Sequence, residues 1–400
     1  MTAVRPTSGR AQLAWLSLAM ILGMTPWFSA TAVAPGMASE WRMSPESVSW
    51  LTMAVQLGFV AGTLTSALLL LADRWSARHL AAASAFAAGV ATLLVVWRGV
   101  GANGAIGLRI VAGVALAGVY PPGIKLAAGW WRERRGTAIG VLVGALTMGS
   151  AAPNLFRASL PGSDWRSVMV GAAAASILSA VVFSTAVREG PFHAPSARFD
   201  PGAILTVLRD RGVALATGGY LGHMWELYAM WSSIGAFWTS VAVRYHVGTA
   251  AAAGMAFLTI AAGAVGCVVA GAVADRLGRP VVTIIAMAVS GTCALLIGPS
   301  ITVSIAAVAV VAIVWGVSIV ADSAQFSAAV TEMAPARYVG TAITLQTCFG
   351  FLLTIVTIHA VPVWAAWWGW ERAYMPLALG PALGIVAMWR LWRTERRPTT

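Results

Sequence analysis

The sequence predicts an all-α polytopic membrane protein: twelve transmembrane helices in two pseudo-symmetric six-helix bundles. Three observations carry this. The chain has 400 residues, 59% hydrophobic and only 10% charged, where a soluble domain carries charge at roughly a quarter of its positions. Its apolar runs reach 18 to 28 residues, enough to cross a hydrocarbon layer of ~30 Å at ~1.5 Å per residue. Finally, Asp73-Arg74, in a tight turn between two such runs, returns 202 residues later as Asp275-Arg276. A charged hairpin repeated at half the chain length marks an internal duplication.

The twelve runs lie near 12–34, 47–71, 80–97, 105–128, 137–156, 167–187, 212–239, 249–273, 280–298, 302–328, 340–362 and 372–392. Period-2 alternation is missing, which argues against a barrel. Lipid offers the backbone no hydrogen bonds, so the runs are expected to be helices. The most polar stretch away from the termini, 188–211, holds Pro191, Pro195, Pro201 and several charges. It divides the chain into an N-terminal bundle (1–187), a cytoplasmic linker (188–211) and a C-terminal bundle (212–400).

Other pairs repeat at nearly the same offset. Gly136-Thr137-Ala138-Ile139 opens run 5, and Gly340-Thr341-Ala342-Ile343 opens run 11. Asp164-Trp165-Arg166 precedes run 6, and Trp370-Glu371-Arg372 precedes run 12. Membrane proteins doubled in this way are commonly transporters, with the site between the halves.

The net charge of +12 reports orientation rather than nucleic acid. With the N-terminus in the cytosol, 19 of the 26 basic residues fall on the cytoplasmic side, six fall outside, and Arg109 lies within a run. This is the positive-inside pattern. It predicts an integral inner (plasma) membrane protein with both termini cytoplasmic, in contact with anionic lipid. No phosphate-binding loop or zinc motif occurs. The three cysteines, all within apolar runs, have no metal spacing. The expectation is no enzyme, no cofactor, no metal and no nucleic-acid partner.

The fuller hairpin copy reads Gly271-x-x-x-Asp275-Arg276-x-Gly278-Arg279; the first reads Leu69-x-x-x-Asp73-Arg74-x-Ser76-x-Arg78. Run 4 holds Arg109-x-x-x-Gly113, and run 5 holds Gly140, Gly144 and Gly149, with Ala145 where drug antiporters usually have proline. These residues resemble the major facilitator superfamily over the full chain length. The resemblance implies that fold, with two bundles rocking about a midplane site lined by spans 1, 4, 7 and 10. It also implies a cytoplasmic gating latch at Asp73, Arg74, Arg78, Asp275, Arg276 and Arg279.

Ionisable groups inside spans are expensive, at least ~2.5 kcal/mol on insertion scales, so each is a functional candidate. His223 and Glu226 share one helix face near midplane. Arg109 lies in span 4, where a snorkelling role competes with a buried one. Lys125, the single lysine, follows Tyr120-Pro121-Pro122, where freed carbonyls favour a bend. Asp322 in span 10 is expected to close an ion pair with Lys125 across the halves. Tyr120, Trp27 and Trp231 are candidate cavity walls. Together these residues suggest a monomeric, proton-coupled secondary transporter working by alternating access. The mildly cationic interior favours a small organic anion or weak acid. Trp-rich walls favour the alternative, proton-driven efflux of aromatic or amphipathic compounds. A non-transporting membrane sensor on the same scaffold is the third reading.

Overall fold

A computed structural model describes residues 6–131, 135–160, 162, 164–192 and 199–395. The side chains of 6–8, 72, 73, 135 and 395 lie outside the described set, Asp73 of the expected latch among them. Among the described residues the chain is helical throughout its long elements and has no strand.

Each expected run corresponds to a helical stretch, numbered here in chain order. The first bundle has α1 (Pro6–Met24), α2 (Pro45–Leu69), α3 (Ala77–Leu94), α4 (Gly101–Trp130), α5 (Arg135–Ser159) and α6 (Trp165–Thr185). The second has α7 (Arg211–Arg244), α8 (Thr249–Leu277), α9 (Arg279–Ser300), α10 (Ile305–Met333), α11 (Val339–Trp368) and α12 (Leu379–Glu395). Ten stretches are long and apolar enough to cross a membrane on length and composition; α1 and α7 are the other two.

Several runs read as continuous are broken, α8 at Ala262 among them. The first turns at Thr25–Phe28 after α1 and resumes in the short helices Ser29–Ala32 and Ala34–Trp41. Inside α4, regular helix stops at Leu116 and restarts at Tyr120; inside α10 it stops at Ile319 and restarts at Ser323. The last two breaks are 203 residues apart, so the duplication extends to helix defects. Prolines 121 and 122 fall in the first turn after the α4 break, where a missing N–H costs nothing.

The duplication is also visible in backbone contacts. A Cβ on Gly58 of α2 would lie 2.1 Å from the Ile110 carbonyl of α4, and one on Gly113 would lie 2.2 Å from the Val55 carbonyl. In the second half, Gly266 of α8 meets the Val317 carbonyl and Gly316 of α10 meets that of Thr259, at 1.9 and 1.7 Å from the added Cβ. Lipid tails are as apolar as leucine, so close packing by small residues replaces the hydrophobic effect between such helices.

At the end assigned to the extracellular side, Glu40 ties the Ala34–Trp41 helix to the start of α6. It accepts from Trp165 Nε1 at 2.8 Å and from Arg166 Nη1 at 2.7 Å and Nη2 at 2.5 Å. The Arg166 guanidinium, followed by the Trp165 indole, lowers the Glu40 carboxyl from its ordinary 4.5 to about 2.

Two outcomes are expected. Gly113→Ala and Gly316→Ala each destabilise by about 1–3 kcal/mol, as overpacking does, whereas Gly254→Ala, with open space around it, stays neutral. Thermal melting in detergent checks this. A carboxyl with a depressed folded pKa stabilises fully above its unfolded value and stops as pH falls through the folded one. The Glu40 tie therefore persists below pH 4.5 and is lost as pH falls through about 2. Melting curves of Glu40→Gln should be lower at neutral pH and converge with the parent only in that acid window.

Candidate functional site

The two halves meet across a seam of aromatic rings. Trp27 and Phe28 come from the break after α1, Phe59 from α2, Tyr228 and Trp231 from α7, and Phe351 from α11. All six are buried. Phe59 and Phe351 meet at 4.4 Å between ring centroids, Trp27 and Phe351 at 5.7 Å, Trp27 and Tyr228 at 5.8 Å, and Phe28 and Trp231 edge-on at 5.9 Å. Such pairs add ~0.5–1.5 kcal/mol each beyond burial. The indole nitrogens of Trp27 and Trp231 are buried without a hydrogen-bond partner. Trp27 and Trp231 were expected at the cavity. Phe59 and Phe351 were not, because a lone phenylalanine in an apolar run gives no sequence signal.

Arg109 sets the position of two of these rings. It is 0% exposed. Its Nη2 donates to the carbonyls of Pro26 at 2.6 Å and Trp27 at 2.5 Å; Nε reaches the Leu51 carbonyl at 3.4 Å, and Nη1 the Ser29 hydroxyl at 3.4 Å. Arg109 therefore does not snorkel. A planar fork of five donors suits a set of carbonyls that a helix break has freed. Among the described residues its hydrogen bonds go to Pro26, Trp27 and Ser29 and to Leu51 of α2, so its charge is used in holding the segment that carries Trp27 and Phe28.

The carboxylate of Glu226 faces the interior of the second half. It accepts from Trp315 Nε1 of α10 at 2.6 Å and from Ser290 Oγ of α9 at 2.8 Å, and is 1% exposed. His223, one turn earlier, places Nδ1 2.9 Å from Asp322 Oδ1 at the α10 break. Its Nε2 has no hydrogen-bond partner among the described residues. Asp322 thus pairs within its own half, and the pairing with Lys125 expected across the halves is not formed. His223 and Asp322 are both 1% exposed inside one bundle, while Lys125 is half-buried on the other. Trp315 and Ser290 were missed, since neither is ionisable. Tyr120, directly after the α4 break, is half-buried against the core.

Of the expected latch residues, Asp275 and Arg279 make described contacts. A Cβ on Gly136, in the first turn of α5, would lie 2.7 and 3.0 Å from the Asp275 carboxylate oxygens. A carboxylate of one half thus sits against a helix N-terminus of the other, where the macrodipole favours it. Gly271 lets α8 approach the Gly136 carbonyl, and Gly278 has φ +85°, a conformation that side chains rarely adopt. Arg279 donates to Gln325 Oε1 at 2.7 Å and lies 3.6 Å from Asp275 and 3.4 Å from Glu332. Arg276 is exposed. In the first copy, Arg78 reaches the Val187 carbonyl of its own half at 3.5 Å, and Arg74 is exposed.

Two apolar helical halves that meet at an aromatic seam, each with costly charges buried inside, are the build of a membrane transporter. The Major Facilitator Superfamily matches residues 16–358, and the chain belongs to that superfamily. An MFS-type transporter, pytF, of Aspergillus terreus is 27% identical over 173 residues, which cover 42% of this chain and 56% of that protein. The chain thus matches little more than half the length of this curated relative. Two solved structures share the fold. A bacterial homologue of the human lysosomal transporter Spinster, inward-facing and unoccupied, has a TM-score of 0.72 at 14% identity over 100% of both chains. The proton:xylose symporter XylE, bound to 6-bromo-6-deoxy-D-glucose, has 0.74 at 12% identity over 97% of this chain and 96% of that one.

Arg109→Lys tests the clamp. A lysine head offers a point charge where a fork serves four oxygens, and each buried acceptor left unpaired costs about 1–3 kcal/mol. The expected outcome is a melting temperature well below that of the parent, with Trp27 newly accessible to solvent quenchers of tryptophan fluorescence.

Proposed function

We propose that this protein is a proton-coupled secondary transporter of small aromatic or amphipathic organic solutes. The observation that carries the substrate class is the seam. Six aromatic side chains, from the break after α1 and from α2, α7 and α11, pack on one another across the two halves. When the halves rock apart, those ring faces are uncovered together, and a planar apolar solute restores the lost contacts. The organic-anion reading needs cations that face the passage. Arg109 is instead spent on backbone carbonyls, and His223 is paired with Asp322.

Glu226 is the proton carrier in this reading. It sits on the same helix as the seam residues Tyr228 and Trp231 but on another face, since five residues turn roughly 140° round a helix. A change in its charge alters hydrogen bonding to Trp315 and Ser290, and α7 carries that change to the rings as one rigid element. A proton:xylose symporter among the structural neighbours supports proton coupling. The arginine distribution supports an inner-membrane location with both termini in the cytosol, and residues 188–211 joining two bundles. The Asp275 contact with α5 supports a latch on the cytoplasmic side.

Proteoliposomes with an internal pH dye test this. Indole, an aromatic ammonium ion and benzoate are each added under a pH gradient. Proton movement with the first two and little with benzoate is expected, and its direction separates import from export. Glu226→Gln should abolish solute-driven proton movement while leaving exchange of labelled solute across the membrane intact. Benzoate as the best-transported solute would overturn the substrate class; proton movement retained in Glu226→Gln would overturn the carrier assignment.

A further inference from the structure

A cavity of about 440 Å³ opens between α1 and α5, away from the seam and the buried charges. Its α1 wall is Arg10, Leu13, Ala14 and Ser17, and Trp131, Thr137, Ala138 and Val141 face them. The α1 residues follow i, i+3, i+4, i+7 and so form one stripe. That stripe borders Trp15 and Leu18, which are exposed at 43% and 39% and face the hydrocarbon of a membrane-embedded helix. The cavity is therefore a crevice at the lipid-facing surface, at the end of the bundle where α1 begins.

Its chemistry runs from polar to apolar along α1. Arg10 is exposed, and no acidic residue is among the described residues of the lining. Trp131 Nε1 and Ser17 Oγ are both buried without a hydrogen-bond partner. Ser17 lies two turns from Arg10, roughly 10 Å along the axis. Unpaired buried donors are costly, and no described residue meets these two.

We propose that this crevice binds one phospholipid of the adjacent leaflet and prefers an anionic headgroup. The phosphate accepts from Arg10 and from Trp131 Nε1. An ester carbonyl accepts from Ser17 Oγ, and the chains run along Leu13, Ala138 and Val141. A cationic headgroup is disfavoured because the lining holds Arg10 and no carboxylate to balance it.

Full-length protein in detergent, stripped of lipid, is titrated with dioctanoyl phosphatidylglycerol, dioctanoyl phosphatidylcholine or glycerol 1-phosphate, with thermal shift and native mass spectrometry as readouts. Phosphatidylglycerol is expected to bind more tightly than phosphatidylcholine, and glycerol 1-phosphate only weakly. Arg10→Gln should weaken phosphatidylglycerol about tenfold, the scale of one charge-assisted hydrogen bond, and erase the headgroup preference. Trp131→Phe should weaken it less. Arg209→Gln, an exposed arginine outside the crevice, should change nothing. Because Arg10 is exposed, its variant melts like the parent without lipid. Equal binding of both lipids, an unchanged Arg10→Gln, an equal loss in Arg209→Gln, or glycerol 1-phosphate binding as tightly as the lipid would each overturn the assignment.

Discussion

The structure depends on how it satisfies backbone groups freed where helices break inside an apolar layer. Lipid cannot hydrogen-bond them. At the break after α1 the carbonyls of Pro26 and Trp27 are taken up by Arg109, and that of Pro26 also by the Ser29 hydroxyl. Thr25 donates to Ala172 of α6 and fixes the same segment from the other side. At the α10 break the Val320 carbonyl faces the Cys267 thiol of α8 at 3.5 Å. A buried arginine, a serine and a cysteine thus share one duty.

The two halves repeat the scaffold but not this solution. The glycine contacts of α2 with α4 and of α8 with α10 correspond, and so do the breaks in α4 and α10. The first helices of the halves differ. The first run breaks and needs a cation from α4, while α7 stays helical for 34 residues. With α7 unbroken, the second half carries His223 and Glu226 on α7 itself, where they meet α10 and α9. The first half thus uses its buried charge for architecture, and the second keeps titratable groups beside the seam.

The hairpin repeat shows a similar division of labour. Gly271 and Gly278 have separate physical reasons, one a close approach to α5 and the other a positive φ. The first copy has Leu69 and Ser76 in their places, and Leu70 takes the left-handed conformation at φ 51° instead. A leucine in that region carries strain that a glycine does not. In the copy with both glycines the Asp275 carboxylate reaches the other half.

The sequence alone determined the membrane class, the helical runs and their order, and the duplication. Run length, charge asymmetry and repeated motifs are local properties of a chain, and lipid leaves helices few alternatives. It also marked Arg109, His223, Glu226 and Asp322, because a charge inside an apolar run is visible in one dimension. Only the tertiary structure decided what those charges touch. Arg109 faces carbonyls contributed by another helix, Asp322 meets His223 rather than Lys125, and Glu226 rests on Trp315 and Ser290. Phe59 and Phe351 joined the seam for the same reason: a contact between residues almost 300 positions apart is set by how helices cross, and an apolar side chain gives no sign in its own run of which neighbour it will meet.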